Sequence, residues 1–256
     1  MQLFYRSYGE GNPFIILHGL YGISDNWVTH AKVLASDYKV YVLDMRNHGQ
    51  SGHSNVFDYD AMTNDVSEFI ETHQISQPII LGHSMGGKIA MKFALENQDL
   101  VSNLIVVDIS VREYNLRDFH LNLMNAMLGI DFTKIHSRKD VEDILAATVE
   151  HTRPRLFIMK NLYWTERKTL SWRINISAII NNLDAVFEGI VTDQIFDKPT
   201  LFIRGAQSDY VKDTDFTQIY RNFPQATIKT IDRAGHWVQA DQPDAFMKAI
   251  KYFLNI

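Results

Sequence analysis

The chain has 256 residues, 46% of them hydrophobic and 21% charged, with 25 basic and 30 acidic side chains for a net charge of −5. A chain of this length buries enough surface to fold without a disulfide or metal staple, and 13 glycines and 6 prolines are too few for a disordered or collagen-like polymer. The acidic balance argues against nucleic acid, which demands a basic face, and the absence of cysteine removes disulfides, thiolate metal sites and Cys nucleophiles together.

No apolar run approaches the ~18 residues of a membrane span. The opening Met1-Gln2-Leu3-Phe4-Tyr5-Arg6 has no basic segment followed by an apolar one. No signal peptide is therefore expected, and the expected compartment is the cytoplasm.

In chain order, Leu3–Tyr8 predicts an opening strand and Gly9–Asn12 a turn. Phe14–Leu17 reads as a buried strand, Asp25–Ala35 as a helix and Lys39–Leu43 as a further strand. Tyr59–Thr72 predicts a helix, Pro78–Leu81 a strand, Met85–Glu96 a helix and Leu104–Val107 a strand. After a long break come a strand at Thr200–Ile203, a helix over Asp213–Asn222, a strand at Ala226–Ile231 and a closing helix at Pro243–Leu254. Strands that are apolar throughout are those covered on both faces. Their alternation with helices gives an α/β class with a mostly parallel central sheet. The break runs from Val111 to about Phe196 and shows helical patterns, clearest at Asn115–Leu128 and Asp140–Glu150, with no clear strand. We read residues 1–110 and 197–256 as the core and 111–196 as a helical cap inserted over the sheet's ligand edge.

Several strands end in a reactive side chain, and ligands of open α/β sheets sit at those carboxyl ends. Gly82-His83-Ser84-Met85-Gly86 joins the strand Ile79–Leu81 to the helix that follows. This is the strand–turn–helix setting of a nucleophile elbow. It exposes the Ser84 hydroxyl and aims the Met85 N–H at a developing oxyanion. A serine needs a base. His236, in Ala234-Gly235-His236-Trp237 after the last strand, is the candidate. The Leu20 N–H, after His18-Gly19, is the candidate second oxyanion donor. His18 is expected to orient that loop, His83 to line the pocket floor, and His48 and His53 to sit in a loop anchored by Arg46. The acid is open between Asp108, which ends the strand Leu104–Val107, and Asp209, which follows the strand Thr200–Ile203. No close metal-ligand spacing appears, so no metal site is expected.

Together these residues resemble the α/β-hydrolase superfamily, whose chain order is Ser, acid, His. His18-Gly19-Leu20-Tyr21-Gly22, Asp44-Met45-Arg46-Asn47-His48-Gly49, Gly86-Gly87-Lys88, Val107-Asp108-Ile109-Ser110 and Trp172-Arg173-Ile174-Asn175 are similar to the YbfF-like carboxylesterases and their mitochondrial abhydrolase relatives. That resemblance implies a Ser84–His236–Asp108 triad and a small-molecule ester substrate cleaved through an acyl-enzyme without a cofactor. The presence of Asp209 departs from the subgroup and keeps the alternative acid in play. A thioesterase on the same machinery, or a hydrolase-fold receptor with little turnover, are the competing readings. Specificity is expected from the insertion, which supplies Tyr114, Phe119, Leu121, Met124, Met127, Phe132, Trp164 and Trp172; an apolar stripe at helical spacing is more often packing than pocket, and some of it is expected to face Ser84, where flexible methionines would suit acyl chains.

Overall fold

A computed structural model describes residues 1–256. The chain opens with β1 (Tyr5–Tyr8) and β2 (Asn12–Leu17), then a 3₁₀ turn at Ser24–Trp27 that runs into α1 (Val28–Leu34). β3 (Tyr38–Leu43), α2 (Tyr59–Thr72), β4 (Ile79–His83), α3 (Met85–Glu96) and β5 (Asn103–Val107) follow. α2 begins where expected because the Asp58 carboxylate accepts the Ala61 N–H at 2.7 Å.

The insertion then supplies α4 (Arg117–Leu128), α5 (Arg138–Ala146), α6 (Thr152–Ile158), β6 (Leu162–Trp164), β7 (Leu170–Trp172), α7 (Ile176–Asn181) and α8 (Leu183–Phe187). The core resumes with β8 (Thr200–Gly205), α9 (Phe216–Asn222), β9 (Ala226–Ile231), α10 (Val238–Asp241) and α11 (Pro243–Leu254). α11 starts on Pro243 and ends at Asn255, which is left-handed at φ 56°.

The main sheet has seven strands in the order β1-β3-β2-β4-β5-β8-β9. β1 is antiparallel to β3, and every other pairing is parallel. Alternate residues of the central strands feed two separate cores. Ile15, Leu17, Ile80, Leu104, Val106 and Phe202 pack on one face with α2 and α3 residues such as Phe69 and Phe93. Phe14, Ile16, Val40, Val42, Leu81, Ile105 and Ile203 pack on the other with Trp27, Leu34, Phe246 and Ile250. Period-two alternation with both faces apolar is what a continuous hydrophobic run records.

Two expectations need correction. The insertion is not strandless: β6 and β7 form an antiparallel hairpin, Leu162 opposite Trp172 and Trp164 opposite Leu170. Three-residue strands are too short to show alternation, and the turn rests on Lys168 at φ 57° rather than on a glycine. The helix expected over Asp140–Glu150 begins earlier and stops at Ala146, because Ser137 caps it, its hydroxyl accepting the Asp140 N–H. That Ser-x-x-Asp box marks a helix start.

The insertion's two stems are held together at the core. Ile190 N–H donates to Val111 C=O at 2.7 Å, and Tyr114 N–H to Phe187 C=O at 2.9 Å. The buried Lys88 ammonium, on α3, donates to the carbonyls of Val111, Arg112 and Glu188, at 3.3, 2.6 and 2.5 Å. Burial pushes its pKa down to about 7, while the three carbonyl dipoles favour the charged form.

Candidate active site

Ser84 sits where β4 turns into α3, at φ 53° and ψ −121°. A serine in this region is strained by about 1–3 kcal/mol. The surroundings enforce it: the Ser84 N–H donates to Val107 C=O at 3.0 Å, continuing the β4–β5 ladder one residue past β4. The elbow closes only because Gly82 and Gly86 lack side chains. A Cβ on Gly82 would lie 2.1 Å from the Gly86 oxygen, and one on Gly86 would lie 2.3 Å from the Leu17 oxygen.

Ser84 Oγ lies 3.0 Å from His236 Nε2, and His236 Nδ1 lies 2.8 Å from Asp108 Oδ2. Asp108 is fully buried and, like Ser84, left-handed, at φ 50°. Its N–H donates to Ile203 C=O at 2.8 Å. The carboxylate is filled: Oδ1 accepts the Gly205 N–H at 2.9 Å, and Oδ2 accepts the Ser208 hydroxyl at 2.5 Å as well as the His236 N–H. With Nδ1–H committed to Asp108, Nε2 is the nitrogen that accepts from Ser84. Asp209 is exposed. Its main-chain oxygen accepts from Arg112 at 2.9 Å. The β8–α9 loop therefore reaches the site through Ser208 and through Tyr210, whose ring stacks on His236 with centroids 3.7 Å apart and planes 17° apart. Neither residue was singled out from the sequence, although both flank the aspartate that was.

His18, His48, His53 and His83, the other histidines singled out from the sequence, bond to backbone. His83 Nε2–H donates to the His236 carbonyl at 2.8 Å, and burial lowers its pKa to about 3, with His236 adding to the effect. His18 donates through Nδ1 to Gly19 C=O at 2.8 Å and accepts the Met45 N–H at Nε2 at 3.0 Å. His48 donates through Nδ1 to Arg46 C=O and accepts the Tyr21 N–H, at 3.0 and 3.3 Å. Burial lowers His18 to about 4 and His48 to about 3. Arg46 anchors that loop by a two-pronged ion pair to Asp65, at 2.6 and 2.8 Å. His53 lies 3.1 Å from the Arg173 carbonyl.

Above Ser84 lies a pocket of about 290 Å³. Leu20 and Met85 both line it. The Leu20 N–H has no acceptor within the chain. Met85 opens α3, where first-turn N–H groups have no intrahelical partner. The insertion roofs the pocket with Phe119, His120 and Leu123 of α4, Pro154, Phe157 and Ile158 of α6, and Val186 and Phe187 of α8. Of the residues expected to set specificity, Tyr114 and Phe119 line it. Met124 and Met127 instead point into the packed interior. Leu121, Phe132 and Trp172 pack against that interior, and Trp164 is half exposed. α4 turns its 3.6-residue stripe toward its neighbours, and only one edge of it faces the cavity.

A family model described as the alpha/beta hydrolase fold matches residues 12–243. The chain is an α/β hydrolase. This α/β hydrolase is 37% identical to the sn-1-specific diacylglycerol lipase ABHD11 of Danio rerio, over 96% of the chain and 80% of that protein. It is 31% identical to the esterase YbfF of Escherichia coli, over 96% of the chain and 94% of that protein. A solved structure of a marine microorganism esterase superposes with a TM-score of 0.95 at 38% identity, covering 98% of this chain and 99% of the other. The α/β hydrolase thus belongs with esterases and lipases, and no helix in it is long and apolar enough to cross a membrane.

Proposed function

We propose that the protein is a serine carboxylesterase that cleaves small to medium acyl esters through an acyl-enzyme. The observation that carries this reading is the unbroken relay from Ser84 Oγ through His236 to Asp108, at 3.0 and 2.8 Å. Ser84 attacks the ester carbonyl as His236 Nε2 takes its proton. The Leu20 and Met85 N–H groups stabilise the tetrahedral oxyanion, a donor pair of which each member is typically worth about 10²–10³ in rate. The imidazolium, paired with Asp108, then protonates the leaving alcohol. Water enters, gives its proton to His236 and attacks the acyl-serine. Collapse of the second tetrahedral intermediate frees the acid and restores Ser84. The insertion, residues 111–196, acts as the lid that selects the acyl chain, and an apolar roof suits a hydrocarbon better than a charged group.

The test is fluorophosphonate labelling together with hydrolysis of p-nitrophenyl and acyl-CoA esters of graded chain length. Label should appear on Ser84, and Ser84→Ala should lose label and about 10⁴-fold or more in kcat while its circular dichroism is unchanged. A Ser84→Ala protein that still labels overturns the assignment. A wild type that labels without turnover makes it a binding protein.

A further inference from the structure

The Gly19–Gly22 turn that presents the Leu20 N–H is strained at its third residue. The turn closes by Gly22 N–H donating to Gly19 C=O at 2.8 Å. Tyr21 occupies the position next to Leu20 at φ 62°. Glycine or asparagine is the ordinary occupant of a left-handed turn position, and a tyrosine relaxes out of it unless something holds it. Relaxation rotates the peptide planes of the turn, and the Gly19–Leu20 peptide carries the proposed oxyanion donor.

What holds Tyr21 comes from both sides. From the core, His48 Nε2 accepts its N–H. From the insertion, the Asn161 side-chain amide donates to the Tyr21 carbonyl at 2.8 Å and to the Ile158 carbonyl at 3.1 Å. Asn161 is completely buried, in the 3₁₀ turn Met159–Asn161 between α6 and β6. Also from the insertion, His120 Nδ1 lies 2.9 Å from the Tyr21 hydroxyl, with the two rings stacked at 18°. Burial keeps the phenol protonated and lowers His120 to about 4, so this is a neutral pair.

We propose that Asn161, assisted by the Tyr21–His120 pair, is a positioning residue for the oxyanion site, so that the insertion completes the catalytic geometry as well as roofing the pocket. This rests on the reading of Leu20 as an oxyanion donor. An oxyanion donor acts only in the transition state, so displacing it lowers kcat and leaves KM nearly unchanged. Loss of an ordinary packing contact lowers thermal stability without that split.

The experiment uses the full chain, with Asn161→Leu and Tyr21→Phe as the test variants. Asn182→Leu serves as control, because the Asn182 amide also ties the insertion to the core, donating to Asn55 C=O at 2.8 Å, but away from the turn. Each is measured for kcat and KM on p-nitrophenyl butyrate and for inhibition by an alkyl trifluoromethyl ketone, which adds reversibly to a serine as a tetrahedral hemiketal. Asn161→Leu should lose about tenfold to a hundredfold in kcat with KM within about threefold, and its inhibition constant should rise in proportion to the fall in kcat/KM. Tyr21→Phe should show the same split at about two- to fivefold, and Asn182→Leu should show none. A folded Asn161→Leu with native kcat, or a loss shared equally by Asn182→Leu, overturns the inference. If Asn161→Leu does not fold, Tyr21→Phe decides alone: native kcat and native inhibitor affinity overturn it. An inactive, unlabelled wild type sinks the functional reading and this inference together. An active wild type with indifferent variants sinks this inference only.

Discussion

Asp108→Asn replaces one carboxylate oxygen by an NH₂ group and should remove most of the activity. The amide oxygen of the new side chain is held at the Oδ1 position, where it keeps the bond from the Gly205 N–H, because an amide nitrogen there would face another donor. The NH₂ group is thereby forced into the Oδ2 position, which now accepts from both His236 Nδ1 and Ser208 Oγ. A donor facing Nδ1 drives the imidazole to the tautomer protonated on Nε2, and that nitrogen can no longer take the Ser84 proton. The expected loss is about 10³–10⁴ in kcat, or roughly 4–5.5 kcal/mol of barrier. Asp209→Asn touches an exposed carboxylate with no hydrogen-bond partner in the chain and should leave kcat within about twofold. The assay is steady-state hydrolysis of p-nitrophenyl butyrate by both variants, with melting temperatures to show that each is folded. Equal losses, or a larger loss in Asp209→Asn, would refute the reasoning and move the acid into the β8–α9 loop.

Gly205→Ala places a Cβ 2.3 Å from the Gly235 oxygen and 2.5 Å from the Ala234 oxygen, both main chain of the loop that carries His236. The loop must shift, and kcat should fall by about 10² in a protein that still binds substrate; unchanged kcat would show that the loop position is not critical. Acid should unfold the protein early. His18, His48, His83 and His120 are buried and neutral, with pKa values lowered by burial to about 4, 3, 3 and 4. Their folded values lie below the unfolded value near 6.5, so between pH 6.5 and 3–4 the unfolded chain binds protons that the folded chain does not. Stability therefore rises with pH through that window and flattens above it, with a slope approaching about 5 kcal/mol per pH unit when all four take part. Urea midpoints measured from pH 4.5 to 7.5 check this: a profile level between pH 7 and 5 contradicts it, and His48→Gln should reduce the slope by about a quarter.

The alternation of elements was legible because fully buried strands write themselves as apolar runs, and the expected spans of α2, α3, β9 and α11 coincide with the observed ones. Ser84 and His236 were legible as candidates because each lies between a strand and a helix, a placement that sequence order alone specifies. The residues alone left Asp108 and Asp209 open, since both follow strands, and only the family resemblance favoured Asp108. What separates them in space is the left-handed turn at Asp108, which swings its carboxylate toward His236, and a φ angle has no signature in a non-glycine residue. Ser208 and Tyr210 were missed for a related reason: their contacts with Asp108 and His236 span more than 25 positions. Which residues of the α4 stripe face the cavity was not legible, because periodicity identifies a buried stripe without saying whether a cavity or a neighbouring helix faces it.

Lys88 has a consequence for how this molecule can change. Its ammonium fastens both stems of the insertion through main-chain oxygens of residues 111, 112 and 188. Oxygens of that kind are supplied by any amino acid, so the tie places no demand on the side chains of the stems. The rivet belongs wholly to the core, and at this junction the piece it fastens needs only to bring a backbone of the right shape, while Asn161 and His120 are the side chains it must keep for the Tyr21 turn. Substitutions in the segment between the stems that keep Asn161 and His120 can then remodel the pocket above Ser84 while the junction with the core stays in place. Chimeras joined at residues 111 and 189 that retain Asn161 and His120 are the natural way to exchange one pocket lining for another.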